Sequence, residues 1–208
     1  DLAKAAKDIS DGASFDNNIM CISEKCIVAV ESIVPAFVKQ LEENGVYYID
    51  NETEMLQLTK TVLNHDMKMV RKMEGKSAMD ILEEAGIHPN RPVRLVVVRT
   101  FAKHPLVLEE CLMPVVPLVA VADFEEALET ALFTEQGYRH TAMVHSQCID
   151  RLSKAAKIMN TTVFIKNGSS LAVIGLNGEE MASFTIANVT GEGITTARDF
   201  ACKRSCTL

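Results

Sequence analysis

Cys21 ends the run Ser14-Phe15-Asp16-Asn17-Asn18-Ile19-Met20-Cys21, in which polar, turn-forming residues lead straight up to a thiol. Ile22-Ser23-Glu24-Lys25 and an apolar stretch follow. A short loop in front of a buried strand can hold a sulfur rigid and turned toward a cleft, which is what a nucleophile needs. The thiolate is the reactive form, so the surroundings must supply backbone N–H donors or a cation, together with partial exposure. Most free cysteines are simply small core residues. The residues around Cys21 single it out, not the cysteine itself.

The segment His104-Pro105-Leu106-Val107-Leu108-Glu109-Glu110-Cys111-Leu112-Met113-Pro114 places two carboxylates just ahead of a strongly apolar run. Such a pair is ordinarily a solvated loop feature, and Glu109 is read that way. His104, directly before Pro105, reads as structural. His140 and His145 lie five apart on an expected strand and so point to opposite faces; no metal site is expected there. Gly191-Glu192-Gly193 has no third glycine in register and is not a dinucleotide fingerprint. Cys202 and Cys206 read as packing residues near the tail.

The six cysteines, at 21, 26, 111, 148, 202 and 206, form no C-x-x-C pair and no compact zinc-like set with histidine. Their placement suits a reducing cytosol better than a disulfide framework. The net charge of −7, with no basic stripe, excludes phosphate-backbone binding and so nucleic acid. No apolar run approaches the ~20 residues that cross a bilayer, so no membrane partner is expected. At 208 residues the chain can bury a substantial core. It opens on Asp1 without an initiator Met and reads as a piece of something longer.

Helical and strand patterns alternate almost throughout. Helices are expected over 2–12, from Ser32 to about Asn44, after Asn51, over 77–86, from Phe124 to Gln136 and over Ile149–Met159. Strands are expected at Cys26–Val30, Val46–Ile49, Val93–Arg99, Val115–Val121, Thr141–His145 and Thr162–Ile165. The two central strands are continuously apolar, as strands covered on both faces are. Short β-α-β-α-β connections predict an α/β fold: three αβα layers around one largely parallel sheet. After Lys166 glycines and small polar residues take over. That gives two units, 1–166 and a loop-rich segment 167–208, with a strand near Ser183–Ala187 and a short helix around Thr195–Ala201. The second unit is expected to return to the core or to an oligomer interface.

The phrase S-F-D-N-N-x-x-C-I-x-E-K resembles the active-site segment of the aldehyde dehydrogenase superfamily, in its CoA-acylating acetaldehyde/propionaldehyde branch. Two further stretches carry the likeness. One is Glu109-Glu110 through Pro114. The other comprises Arg139-His140-Thr141-Ala142, Phe164–Gly168 and Ser183–Ala187 running on to Thr190–Gly193 and Ala197-Arg198. These are similar to enzymes of ethanolamine and propanediol utilisation. The resemblance implies that Cys21 is the nucleophile, attacking a short uncharged aldehyde and carrying the acyl group as a thioester. It implies NAD as hydride acceptor, with Glu110 accepting hydrogen bonds from the nicotinamide ribose, and coenzyme A as acyl acceptor. It implies an aldehyde dehydrogenase catalytic-domain fold lacking the N-terminal nucleotide-binding domain, so that the isolated segment is expected to be inactive. A homo-oligomer, a cytoplasmic location and enclosure within a bacterial microcompartment shell also follow from the likeness.

Two departures stand out. Met20 replaces the proline usual before the cysteine, and 169–180 has fewer glycines than the family pattern and no tyrosine. Other readings of the residues stay open. They are a non-catalytic assembly domain with Cys21 vestigial, a hydrolytic dehydrogenase, and a cysteine acyltransferase or hydrolase needing a histidine partner.

Overall fold

The computed structural model describes residues 1–176, 201, 202 and 204–207. Seven α-helices are described: α1 (Leu2–Ser14), α2 (Val34–Glu43), α3 (Glu52–Val62), α4 (Ala78–Glu84), α5 (Pro105–Leu108), α6 (Phe124–Glu135) and α7 (Ile149–Met159). Six strands alternate with them: β1 (Ile27–Val30), β2 (Val46–Ile49), β3 (Leu95–Thr100), β4 (Val115–Val121), β5 (Thr141–Val144) and β6 (Val163–Lys166). The strand expected over Ser183–Ala187, and all but the last residue of the helix expected over Thr195–Ala201, lie outside the described residues.

Local chemistry sets the helix ends. Ser77 and Asp80 form a reciprocal capping box at the start of α4, each side chain accepting the other residue's backbone N–H. Asn51 Oδ1 accepts the Glu54 N–H at 2.8 Å, but the return half of that cap is missing. The Glu54 carboxylate instead takes the Tyr47 hydroxyl at 3.1 Å. Asp123 Oδ1 caps α6 by accepting from the N–H groups of Glu125 and Glu126. The four-residue helix α5 has no counterpart in the periodicity. It is set by His104 and Pro105: His104 Nδ1 accepts the Leu106 N–H at 3.2 Å, and Pro105 supplies a first-turn φ.

Strands β1, β4, β3 and β2 lie in that order in one sheet, every neighbouring pair parallel. Although β3 is continuously apolar, its side chains divide between two cores. Val96 and Val98 pack with Leu58, Val62, Ile81 and Leu82 of α3 and α4. Leu95 and Val97 pack with Ala6, Ala13, Phe37 and Leu41 of α1 and α2. This is the expected αβα sandwich.

Every strand pairing among the described residues is parallel, as expected, and one pair stands apart from the four-stranded sheet. β5 and β6 pair with each other, in parallel, as a separate two-stranded sheet. The reason lies where α6 ends. Gln136, Gly137 and Arg139 all take left-handed backbone angles (φ 59°, 82° and 52°). That turn redirects the chain after α6, which itself packs against β1. The apolar residues of α6 are only partly covered: Leu128 is buried, whereas Leu132 and Phe133 are more than 40% exposed.

Candidate active site

In the parallel sheet β1 and β4 are neighbours, with Ile27 opposite Leu118. The segment entering β1 from Cys21 and the segment entering β4 from Glu110 therefore run side by side to the same, amino-terminal edge. Topology thus brings together two stretches almost ninety positions apart.

The backbone before Cys21 is unusual. Asp16, Asn17 and Asn18 are three consecutive non-glycine residues with left-handed φ, at 47°, 51° and 60°. Asn and Asp are the residue types that tolerate this region best, yet each still costs on the order of 1 kcal/mol. Side-chain bonds hold the turn in place. Asn17 Nδ2 donates to the Gly75 carbonyl at 2.9 Å, and Asn18 Nδ2 donates to the Glu24 carbonyl at 3.2 Å. Lys25 Nζ donates to the Asn18 carbonyl at 2.5 Å and to Asn18 Oδ1 at 2.7 Å. Residues 18 to 25 are in this way closed into a loop, with the half-buried free thiol of Cys21 near its middle. The Ser23 N–H donates to the Met20 carbonyl across the tip at 3.1 Å. Ile19 is exposed, while Met20 packs with Ile22, Val163 and Val173.

Lys25 joins the two edge segments. Its third hydrogen bond goes to the carbonyl of Cys111, at 3.2 Å, the residue directly after Glu110. Burial pulls the Lys25 amine down to about 8, and the acidic groups around it, Glu110 first and then Cys111, Cys21 and Glu24, oppose that fall when ionised. Cys21 and Glu110 therefore both lie within electrostatic reach of one ammonium. Glu110 is exposed; Glu109 is engaged by Lys68 Nζ at 2.5 Å. His140 feels the charges of Glu110, Glu135 and Lys25, and burial lowers its affinity for a second proton. Its Nδ1 meets Thr141 Oγ1 at 2.7 Å, and Nε2 has no hydrogen-bond partner among the described residues. His145 has different neighbours, Asp8 and Lys4, at the far end of α1. The concavity lined by Asp1, Lys4, His145 and Asn167 belongs to that end as well.

Burial raises the thiols of Cys26 and Cys111 to about 12. Neither forms a thiolate near neutral pH. Lys25, Asn18, Glu24 and His140 had no role assigned from sequence. A signal for the turn was present, since Asp-Asn-Asn is the run of non-glycine types best able to adopt three left-handed φ values. For Lys25 the signal was a lysine immediately before a buried strand.

Glu24 anchors the loop from the other side. Only 4% exposed, its carboxylate accepts the Ser170 N–H at 2.9 Å and the Ser170 hydroxyl at 2.7 Å. Burial nevertheless raises it from 4.5 to about 7, and Asp8 adds to the rise. Because its folded value lies above the unfolded one, its relative contribution to stability is complete below about 4.5 and is lost as pH rises through about 7. Glu24→Gln, which can still offer a carbonyl to the Ser170 N–H and an amide to its hydroxyl, is expected to exceed the parent in stability at pH 8 by about 2–3 kcal/mol. The gap should close toward pH 5. Urea unfolding at both pH values measures this, and a gap independent of pH would contradict it.

Comparison with known proteins agrees with this geometry. Residues 1–177 match the model of the aldehyde dehydrogenase family. The chain is 44% identical to the CoA-propanoylating propanal dehydrogenase of Salmonella typhimurium, covering all of this chain and 45% of that protein. The propionaldehyde dehydrogenase of Rhodopseudomonas palustris, solved with bound CoA and an acylated cysteine, superposes with a TM-score of 0.93 at 40% identity, covering 100% of this chain and 47% of that one. An engineered glycolyl-CoA reductase with bound NADP+ gives a TM-score of 0.93 at 41% identity, over 100% and 47% of the respective chains. The propionaldehyde dehydrogenase of a fucose-utilisation microcompartment in Clostridium phytofermentans gives 0.91 at 38%, over 100% and 48%. The chain thus spans a little under half the length of these relatives. The family model, the αβα fold and the similarity to acylating enzymes agree: the chain belongs to the aldehyde dehydrogenase family.

Proposed function

We propose that this chain is the nucleophile-bearing part of a CoA-acylating aldehyde dehydrogenase that converts a short aldehyde to its acyl-CoA. The observation that carries the reading is the closed 18–25 loop, which holds Cys21 beside the Glu110 segment around a shared cation. The acylated cysteine in the Rhodopseudomonas palustris relative supports it.

The Cys21 thiolate adds to the aldehyde carbonyl, forming a C–S bond and an oxyanion that the Cys21 backbone N–H stabilises. When bound, a nicotinamide cofactor supplies the acceptor for the hydride lost from that carbon. An exposed carboxylate at this edge suits the ribose hydroxyls, because an ionised carboxylate only accepts hydrogen bonds; we assign that role to Glu110. We take the cofactor to be NAD, and the NADP+ in the engineered reductase supports the nicotinamide class. Cys21 then carries the acyl group as a thioester, and the thiol of coenzyme A displaces it. We assign the uptake of the thiol proton to His140, which burial keeps neutral and whose Nε2 has no hydrogen-bond partner among the described residues. Exchange of one thioester for another is nearly neutral in energy and preserves the acyl activation that hydrolysis would discard.

In this reading residues 1–166 are the catalytic unit, and 167–208 return to the core or to an interface. The chain acts beside a nucleotide-binding domain and within a homo-oligomer. Exposed Phe101, Tyr138 and Ile149 on a chain spanning less than half of its relatives support such partners. A cytoplasmic location with microcompartment enclosure is supported by the fucose-utilisation relative.

Product analysis tests the reading. The natural gene product, given propionaldehyde or acetaldehyde with NAD and coenzyme A, is expected to release acyl-CoA and reduce NAD only when coenzyme A is present. Free carboxylate formed without coenzyme A would make it a hydrolytic dehydrogenase.

A further inference from the structure

Lys25 makes three hydrogen bonds with its three N–H donors. Two go to Asn18 in the left-handed turn ahead of Cys21, and one crosses to the Cys111 carbonyl beside Glu110. Among the described residues no ion pair engages it. A lysine held in a partly buried place by backbone and amide oxygens, rather than by a carboxylate, has charge left over for its surroundings.

We propose that Lys25 is a positioning residue: its ammonium closes the loop that presents Cys21 and supplies the positive charge that poises the Cys21 sulfur as a thiolate. This inference rests on Cys21 being the nucleophile. The groups facing the ammonium are Cys21 and Glu24 on its own loop, Glu110 and Cys111 on the segment entering β4, and His140 ahead of β5. Cys111 remains a thiol, and His140 is neutral, so the groups that compete with Cys21 for the ammonium are the carboxyls of Glu110 and Glu24. Lys25 loses its proton near 8, and its support for the thiolate fades above that pH.

The test is the pH profile of Cys21 alkylation by iodoacetamide, read residue by residue by peptide mass spectrometry on the natural gene product. Cys148, exposed on the same chain, serves as the internal reference. In the parent, Cys21 should react faster than Cys148 at pH 7, and the advantage should shrink as pH rises through about 8. Lys25→Met should slow Cys21 about tenfold at pH 7 and leave Cys148 unchanged. Lys25→Arg, charged at every pH used, should keep the advantage above pH 8 where the parent loses it.

A purely structural lysine would alter Cys21 reactivity equally at all pH values. If Lys25→Met does not fold, the parent and Lys25→Arg profiles decide between these outcomes. Selective labelling of Cys21 in the parent with identical profiles in the variants would overturn the role of Lys25 and leave the nucleophile standing. No preference for Cys21 over Cys148 in the parent would overturn the nucleophile assignment itself.

Discussion

Cys21→Ala is expected to leave the fold intact and reduce acyl-CoA formation by at least ~10⁴-fold, because the covalent route loses its only attacking atom. Half-buried and outside both major cores, Cys21 can lose its sulfur with little effect on packing. Neighbouring thiols offer no substitute, since Cys26 and Cys111 are held protonated by burial. Cys21→Ser should be nearly as inactive, as a hydroxyl is far harder to ionise than a thiol and forms no thioester. Acyl-CoA production by chromatography, with circular dichroism as the fold control, measures both. Activity within tenfold of the parent would remove Cys21 from the mechanism.

Gly12→Ala should destabilise the protein by about 3 kcal/mol. On an open helix the same change usually stabilises by up to ~1 kcal/mol, because alanine is the better helix former. Here the sign reverses. A Cβ at Gly12 would lie 2.1 Å from Glu24 Oε2, and 2.5 Å from both Glu24 Oε1 and Ser170 Oγ. Glu24 sits at the end of a flexible side chain, but it is buried and tied to Ser170 by two hydrogen bonds. It can retreat only by breaking them. The urea midpoint should fall markedly, and because Glu24 belongs to the loop that carries Cys21, thiol reactivity should change with it. A midpoint equal to or above the parent's would show that the carboxylate has room to move.

Much of the sandwich was legible because its signals are local. Val46–Ile49, Val115–Val121 and Ile149–Met159 lie where apolar runs, caps and glycine stops place them. Strand partnership was not legible, because periodicity gives an element's type but not its neighbour. That is why Thr141–Val144 and Val163–Lys166 form a sheet of their own. The exposure of Leu132 and Phe133 on α6 was hidden for a similar reason: a helical stripe does not say how much of it finds a partner. Within the site, Cys21 and Glu110 stood out through residue type and family likeness. Their adjacency needed the β1–β4 pairing, which no sequence spacing encodes. Lys25 was hidden more deeply, since its importance comes from oxygen atoms of Asn18 and Cys111 converging on it in space.

The left-handed turn at Asp16, Asn17 and Asn18 has a consequence for how binding energy is used. Three glycines would follow the same path with less strain, but they would leave the segment free to wander and would forfeit both amide anchors. Asparagine and aspartate accept some conformational tension in exchange for rigidity, so the ordering of the reactive group is completed during folding rather than at each turnover. A small aldehyde has few atoms with which to grip a protein and can contribute little toward organising it. Under the proposed reaction, preorganisation built into the chain is therefore what so small a substrate would require.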